Sequence, residues 1–458
     1  MGRRATFRPG PRRFNDGPMS EHTTSTAPAT GGGWRNALGV YATRRQLVIF
    51  LMGFSSGLPL LLGFSTLSFW LREADVSLAA IGGLLTVATP YSLKFLWAPL
   101  LDHVHLPVLT RWLGLRRGWL LLVQIGLIGA IILVGQAEPP GDLGFLALAA
   151  LIMAFMSATQ DIVVDAYRIE ILDDHEQGAG AAMTQAGYRV GMLASGAGAL
   201  ALADFIAWDG VYAVMAALVG IGILGTFLAR EPVSRRPPPP AEPLAFLRHA
   251  TLDPLKDFAT RRGWVLILAF VLLYKYGDSV AGAMANPFYV DLGFSGVEIA
   301  SVTKVFGVVM TMVGVFAGGT LVARIGILPA LAIGGILQAV TNLTFAWLAV
   351  RGHDMTALAI AVGADNFTGG LGSAAFVAYL SSLCNVAFTA TQYALLTSLM
   401  AFGRTMLAAS SGWLAEGLGW PGFFAATALL AIPALVLLWF LSRLYAPPKA
   451  AAQEGPPA

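Results

Sequence analysis

From residue 46 onward the chain alternates long apolar runs with short polar breaks. The runs fall at 46–71, 78–101, 118–136, 144–171, 179–203, 210–229, 263–284, 296–322, 327–349, 356–382, 389–415 and 421–444. Each is close to the roughly 20 residues that a helix needs to cross a hydrocarbon layer. The pattern predicts an all-α integral membrane protein of twelve transmembrane helices. They fall into two sets of six, 46–229 and 263–445, parted by the longest polar break, 230–262. That break reads REPVSRRPPPPAEPLAFLRHATLDPLKDFATRR. Its proline run cannot be a membrane helix, while LAFLRHATLDPLKDF suits a short amphipathic helix on a membrane surface. Residues 1–45 hold no apolar block and are rich in Arg, Gly, Pro, Ser and Thr, so a disordered basic tail is expected there. No short apolar core with a small-residue cleavage site marks a signal peptide. Residues 446–458 read as a second disordered tail.

Composition agrees with this reading. Hydrophobic residues make up 56% of the 458 and charged ones 12%, against about 25% charged in soluble domains. The net charge of +3 is dispersed through loops and tails, so it carries topology and does not suggest nucleic acid. Most Lys and Arg outside the runs lie in the N-terminal tail, the second-to-third, central and eighth-to-ninth connections and the C-terminal tail, whereas the opposite face holds Arg72 and Arg351. The positive-inside rule then puts both termini and the linker in the cytoplasm. The single cysteine, Cys384, excludes an intrachain disulfide. No metal-ligand cluster, cofactor motif or nucleophile and base constellation is present, so an enzyme is not expected.

Charges inside the runs are the candidate chemistry, because an ionised group at mid-bilayer costs about 2.5–3.5 kcal/mol on insertion scales and so faces the bundle interior or a wet cavity. Asp161, Asp165 and Arg168 share one face of the fourth run. Lys94 lies in the second, Arg189 in the fifth, Lys275 and Asp278 in the seventh, Lys304 in the eighth, Asp365 in the tenth and Arg404 in the eleventh. Counting depth at about 1.5 Å per residue sets Asp161 level with Arg189, so these two are expected to pair. Asp165 with Arg168, and Lys94 reaching towards the cytoplasm, read equally well as structural ion pair and anchor. Arg404, beside Gly403, reads equally as packing or function. Asp161, Asp165 and Asp278 are the titratable candidates for proton coupling. The glycines at 53, 57, 63, 187, 191, 196, 198, 369, 370 and 372 read as close helix packing, and Pro59, Pro90 and Pro287 as kinks.

The chain also repeats itself weakly. APLLDHV (98–104) leaves the second run as GTLVARI (319–325) leaves the eighth, and GLRRGW (114–119) follows the former. Together they resemble a degenerate form of the conserved loop of the major facilitator superfamily, with Asp102 at its acidic position and Ala323 replacing the acid in the second copy. The third, sixth, ninth and twelfth runs, which carry no charge well inside them (Arg443 stands only at the end of the twelfth), correspond to the peripheral helices of that fold.

Longer stretches carry a closer resemblance. FSSGLPLLLGFSTLSFWL (54–71), TPYSLKFLWAPLLD (89–102), SATQDIVVDAYR (157–168), GAGAAMTQAGYRVGMLASG (178–196), YKYGDS (274–279), NFTGGLGSAAFVAYLSSLCN (366–385), TATQYALLTSLMAFGRT (389–405) and GWLAEGLGWPGFF (412–424) resemble the AmpG family of muropeptide permeases. The resemblance implies proton-driven import, across a bacterial inner membrane, of N-acetylglucosaminyl-anhydro-N-acetylmuramyl peptides for peptidoglycan recycling. In relatives it also implies a link to beta-lactamase induction. The partners are then a small-molecule glycopeptide, protons and lipid, and the protein acts as a monomer without a cofactor. Such a cargo must exchange its water for donors and acceptors. Gln160, Gln185, Tyr188, Arg189, Lys275, Lys304 and Asn366 are the substrate-binding candidates, with Tyr91, Tyr274 and Tyr276 suited to stack on sugar rings. Lys94, Asp102, Arg168 and Arg404 are gating or structural charges. Two other readings remain at this point: a related facilitator for another cargo such as acetyl-CoA, needing a denser cationic site for phosphates, and a non-transporting membrane assembly factor.

Overall fold

The computed structural model describes residues 39–77, 80, 81, 84–233, 252–295, 298, 299, 301–408 and 410–444. The expected tails, as far as residue 38 and from residue 445, and the proline run of the linker lie outside these. The ordered elements are helical, with no strand among the described residues. Hydrocarbon offers the backbone no partners, so a helix that bonds to itself is what these apolar runs can form.

The helices that frame the molecule are α1 (Arg44–Glu73), the short α2 (Ala98–His103), α3 (Leu115–Gly135), α4 (Leu143–Ile171), α5 (Gln177–Leu193), α6 (Trp208–Leu228), α7 (Trp264–Asp291), α8 (Ser301–Ile325), α9 (Ile327–Arg351), α10 (Met355–Ser382), α11 (Thr389–Ala408) and α12 (Ser411–Leu444), the last broken at Gly419 (φ 64°, ψ 165°). Nine helices among the described residues are long and apolar enough to cross a membrane; α2, α5 and α10 are not among them. A π turn, Ala194–Gly198, cuts α5 short, and Asp365 and Asn366 interrupt the apolar run of α10.

The run at 78–101 differs from the single helix expected. It threads through a 3₁₀ turn (Leu85–Ala88), a helical turn (Thr89–Leu93) and a second 3₁₀ turn (Lys94–Leu96) before α2 begins. Pro90 and Pro99 each remove a backbone donor, so one continuous ladder cannot form. Helix α7 is likewise split at Lys275, which leaves helical geometry at φ −101° and ψ 15°.

Helix ends gather on two faces. On the first, Arg116 at the start of α3 meets Asp102 in α2 and Glu170 in α4, and Arg45 at the start of α1 meets Glu176 before α5. We call this the tail face. On the opposite, or mouth, face the end of α1 meets the start of α6 through Glu73 and Trp208. Glycines draw α1 against α5: a Cβ on Gly53 or Gly57 would run into the backbone of Thr184 or Tyr188, and one on Gly187 or Gly191 into that of Phe50 or Phe54. Gly198 and Gly369, by contrast, have room for a side chain.

The earlier helices (α1–α6) and the later ones (α7–α12) are packed together unevenly. Helix α5 lies against α8 and α10, and α11 against α2 and α4. Towards the tail face the buried cores mix both sets, as Ile169 joins Phe270 and Phe376 and Ala390 joins Leu101 and Val163. Towards the mouth face each set keeps its own core, one around Trp70 and Tyr212, the other around Phe288 and Phe424. The outer surfaces of α3, α6, α9 and α12 expose Ile125, Leu224, Ile336 and Trp439, side chains suited to lipid.

Candidate functional site: a polar interior

A buried charge cluster ties the two sets of helices together at the tail face. Arg116 has no exposed surface and gives Nη2 to both Asp102 and Glu170 at 2.6 Å, with Nη1 donating to the Leu101 carbonyl at 2.9 Å. The Asp102 carboxylate in turn accepts the backbone N–H groups of Ala390 and Thr391 and the Thr391 hydroxyl. An acid from the earlier set thus caps the first turn of α11 in the later set, where the helix dipole favours negative charge. Glu231, just past α6, accepts the N–H groups of Arg116 and Arg117 at the start of α3. Burial raises its carboxyl above the ordinary range, and those two bonds act in the opposite sense.

A second crossing lies deeper. Arg168, fully buried, donates to Ser381 of α10 at 3.0 Å, pairs with Asp165 at 3.4 Å and lies over the Tyr393 ring of α11. Ser373 of α10 donates to Gln185 of α5 at 2.9 Å. From the helix ends this link is roughly 12 Å inside the tail face, at 1.5 Å per residue. Tyr41, ahead of α1, adds a bond to the Phe316 carbonyl of α8.

Above these crossings sit two polar clusters. In the earlier set, half-buried Asp161 has Ser56 beside it and interacts electrostatically with Lys94 and Asp165, and Tyr188 feels the field of the same two acids. In the later set, Lys275 bonds to Asp278 at 3.1 Å, Gln338 donates to the same carboxylate, and Asp365 interacts electrostatically with Asp278 and Lys275. Asn366 accepts from Thr311 at 2.8 Å. Groups of this kind can bind and release protons and can donate to sugar hydroxyls, amides and carboxylates.

Several expected residues take other places. Asp161 and Arg189 form no ion pair, and Arg189 is exposed. Because Gly187 and Gly191 face α1, Arg189 between them points away from it, whereas Asp161 lies beside Ser56 of α1. Gln160 is wholly buried between Ser55 and Ser56 of α1, its carbonyl accepting from one and its amide donating to the other. Lys304 falls in a π turn, Ser301–Phe306, and Arg404 in α11; their side chains lie outside the described part of the structure. Glu170, Ser381, Thr391 and Gln338 escaped the sequence reading. Glu170 and Gln338 were visible as polar residues inside apolar runs, but nothing in sequence spacing ties Ser381 or Thr391 to partners some 200 positions or more away.

A helical bundle of this build, tied at one face and carrying charged clusters at mid-depth, is that of a major facilitator transporter and not of an enzyme. The sequence profile of the Major Facilitator Superfamily matches residues 46–362. The chain is 41% identical over 403 residues to the anhydromuropeptide permease of Escherichia coli K12, covering 88% of this chain and 80% of that one. It is 36% identical to a Rickettsia felis protein carrying the transporter name AmpG 4, over 88% and 98% of the two chains. The chain belongs to the AmpG family of permeases within that superfamily. The fold alone is shared with the proton:xylose symporter XylE, at a TM-score of 0.61 and 12% identity over 89% of this chain and 96% of that one. The human organic anion transporter MFSD10 gives 0.58 and 17%, over 89% and 100%.

Proposed function

We propose that this protein imports anhydro-muropeptides across the inner membrane, driven by protons, for peptidoglycan recycling. The identity to the Escherichia coli permease over 88% of the chain carries the reading. Twelve helices cross the membrane in two halves of six, with tail face and both termini in the cytoplasm, where the Lys and Arg excess belongs. The interlocked tail face and the separate cores towards the mouth then correspond to an outward-facing state. Cargo enters from the periplasm and meets Lys275, whose ammonium faces the stem carboxylates, and Tyr188, Gln185 and Asn366, which replace its lost water. Asp161 takes up a proton in this state. Protonation ends its attraction to Lys94 and its repulsion of Asp165, so the balance of charge above Arg168 changes as the halves rock. Asp165 and Asp278 are the next candidates for this role.

The test is uptake of a labelled disaccharide anhydro-muropeptide into proteoliposomes, with and without an inward proton gradient. Gradient-stimulated accumulation supports both cargo and coupling. Equilibration without accumulation removes the coupling, and no binding by folded protein removes the cargo.

A further inference from the structure

The mouth face carries the same construction twice. At the end of α1, Asp75 and Val76 bond back to Arg72 and Leu71 at 3.2 and 2.9 Å, and at the end of α7, Gly293 and Phe294 bond back to Val290 and Tyr289 at 2.9 and 3.1 Å. Asp75 and Gly293 both adopt positive φ, 58° and 84°. Ser77 and Ser295 then act as caps, their hydroxyls accepting from the backbone N–H of Ala80 and of Glu298, each at 3.3 Å. Three residues on from the buried rings of Trp70 and Phe288, the carboxylates of Glu73 and Asp291 accept the indole N–H of Trp208 and Trp420, at 2.9 and 3.0 Å.

The rings form matching triangles. Trp70 lies 5.5 Å from Trp208 and 5.4 Å from Tyr212; Phe288 lies 5.2 Å from Trp420 and 4.7 Å from Phe424. Each triangle closes at 6.4 and 6.3 Å. The correspondence is written in the chain, as LADFIAWDGVY (202–212) against LAEGLGWPGFF (414–424) and WLREADVS (70–77) against FYVDLGFS (288–295).

We infer that Trp208 with Glu73, and Trp420 with Asp291, are positioning clasps that bind the mouth ends of α1 and α7 to α6 and α12, so that each rim moves as one rigid body during transport. The indole N–H to carboxylate bond fixes direction, and the ring triangle fixes distance. Neither α1 nor α7 can then close the mouth by swinging its tip alone. Bending is confined below the clasps, where the ladder is already altered, at the π turn Leu62–Thr66 of α1 and at Lys275 of α7.

The inference rests on the transport reading only for what drives closure. Spin-label distances in nanodiscs test it, in a Cys384→Ser background with label pairs at Arg72 and Asp209, within one rim, and at Arg72 and Val290, across the mouth. In the otherwise unsubstituted protein the within-rim distance is expected to stay narrow and fixed when disaccharide anhydro-muropeptide is added at acidic pH, while the cross-mouth distance shortens. Trp208→Phe, which keeps a ring and loses the donor, is expected to broaden the within-rim distribution without ligand and to lower maximal uptake several-fold with KM little changed. Glu73→Gln, which keeps an acceptor, is expected to stay near the unsubstituted distribution. A within-rim distance that shifts together with the cross-mouth one, or a Trp208→Phe distribution as narrow as the starting one, overturns the clasp. An immobile cross-mouth distance overturns the cargo reading instead, and the ligand-free Trp208→Phe comparison still decides the clasp.

Discussion

The Asp102 carboxylate and the Arg116 guanidinium meet at 2.6 Å with neither side chain exposed, and the same carboxylate caps α11 from across the molecule. One acid thus has two duties, to neutralise a buried cation and to hold the two sets of helices together. Glu170 shares the cation, so losing Asp102 does not leave Arg116 wholly unpaired, but it does free α11.

Asp102→Asn is therefore expected to loosen the tail face more than it unfolds the protein. Breaking a buried pair costs about 3–5 kcal/mol when a charge is left alone, and the Glu170 partner should hold the loss below that. Cys384 supplies the probe, since it lines a tail-face cavity of about 1060 Å³ with Glu170, Gln177 and Ser381. Maleimide should label it roughly tenfold faster in the variant, as a shift of about 1.4 kcal/mol towards the open gate requires. Unchanged labelling with unchanged uptake removes Asp102 from the gate.

How far the sequence spoke depends on the range of each interaction. Apolar length pointed to a helical membrane protein, and among the described residues nine helices are long and apolar enough to cross a membrane, because hydrocarbon penalises polar interruptions locally. Within its described residues the 78–101 run is not one continuous helix, and Pro90 and Pro99 were the local signal for that. Depth counting set Asp161 level with Arg189 but could not give the azimuth, which the Gly187 and Gly191 contacts with α1 decide. The pairing of WLREADVS with FYVDLGFS, and of LADFIAWDGVY with LAEGLGWPGFF, is present in the chain but was not among the sequence-based expectations, since it lies at the rims and not in the loop that carries the weaker repeat. Contacts such as Arg168 with Ser381 depend on how the two sets dock, and no spacing within one sequence encodes that.

Asp161 and Gln160 are chain neighbours with opposite expected behaviour. Asp161→Asn should abolish gradient-driven accumulation while leaving exchange of labelled for unlabelled cargo intact, because a neutral amide imitates one protonation state permanently. Gln160→Leu should instead lower thermal stability by about 1–3 kcal/mol by stranding the Ser55 hydroxyl in a buried site, with KM nearly unchanged. Full accumulation by Asp161→Asn would move the coupling role to Asp165 or Asp278.

The α1 and α5 seam offers a purely steric test. A Cβ on Gly191 would meet the Phe54 carbonyl and the Leu58 backbone nitrogen, and backbone cannot step aside as a side chain can. Gly191→Val is expected to destabilise the earlier set by at least the roughly 1–3 kcal/mol typical of overpacking. Gly198→Ala, where the neighbouring Leu193 carbonyl is 3.8 Å away, should be neutral. Detergent melting curves of the two variants should therefore separate, and equal losses would discard the seam as a close-packed contact.

The last prediction concerns Lys275 and Asp278, bonded at 3.1 Å on neighbouring turns at the break in α7. Their side chains are 19% and 25% exposed, so the pair can be reached by cargo without being fully solvated. Exchanging the two residues, as Lys275→Asp with Asp278→Lys, keeps an opposite-charge pair three residues apart and so keeps most of its contribution to folding. It also moves the cation one turn and brings a carboxylate to position 275. If the lysine faces a stem carboxylate, the exchanged protein should fold yet show KM raised about tenfold or more, since losing a charge-assisted bond is worth about 1.5–3 kcal/mol. A cargo amidated at that carboxylate should lose the discrimination between the two proteins. Equal KM values for the exchanged and unsubstituted proteins would make the pair structural, with the carboxylate bound elsewhere.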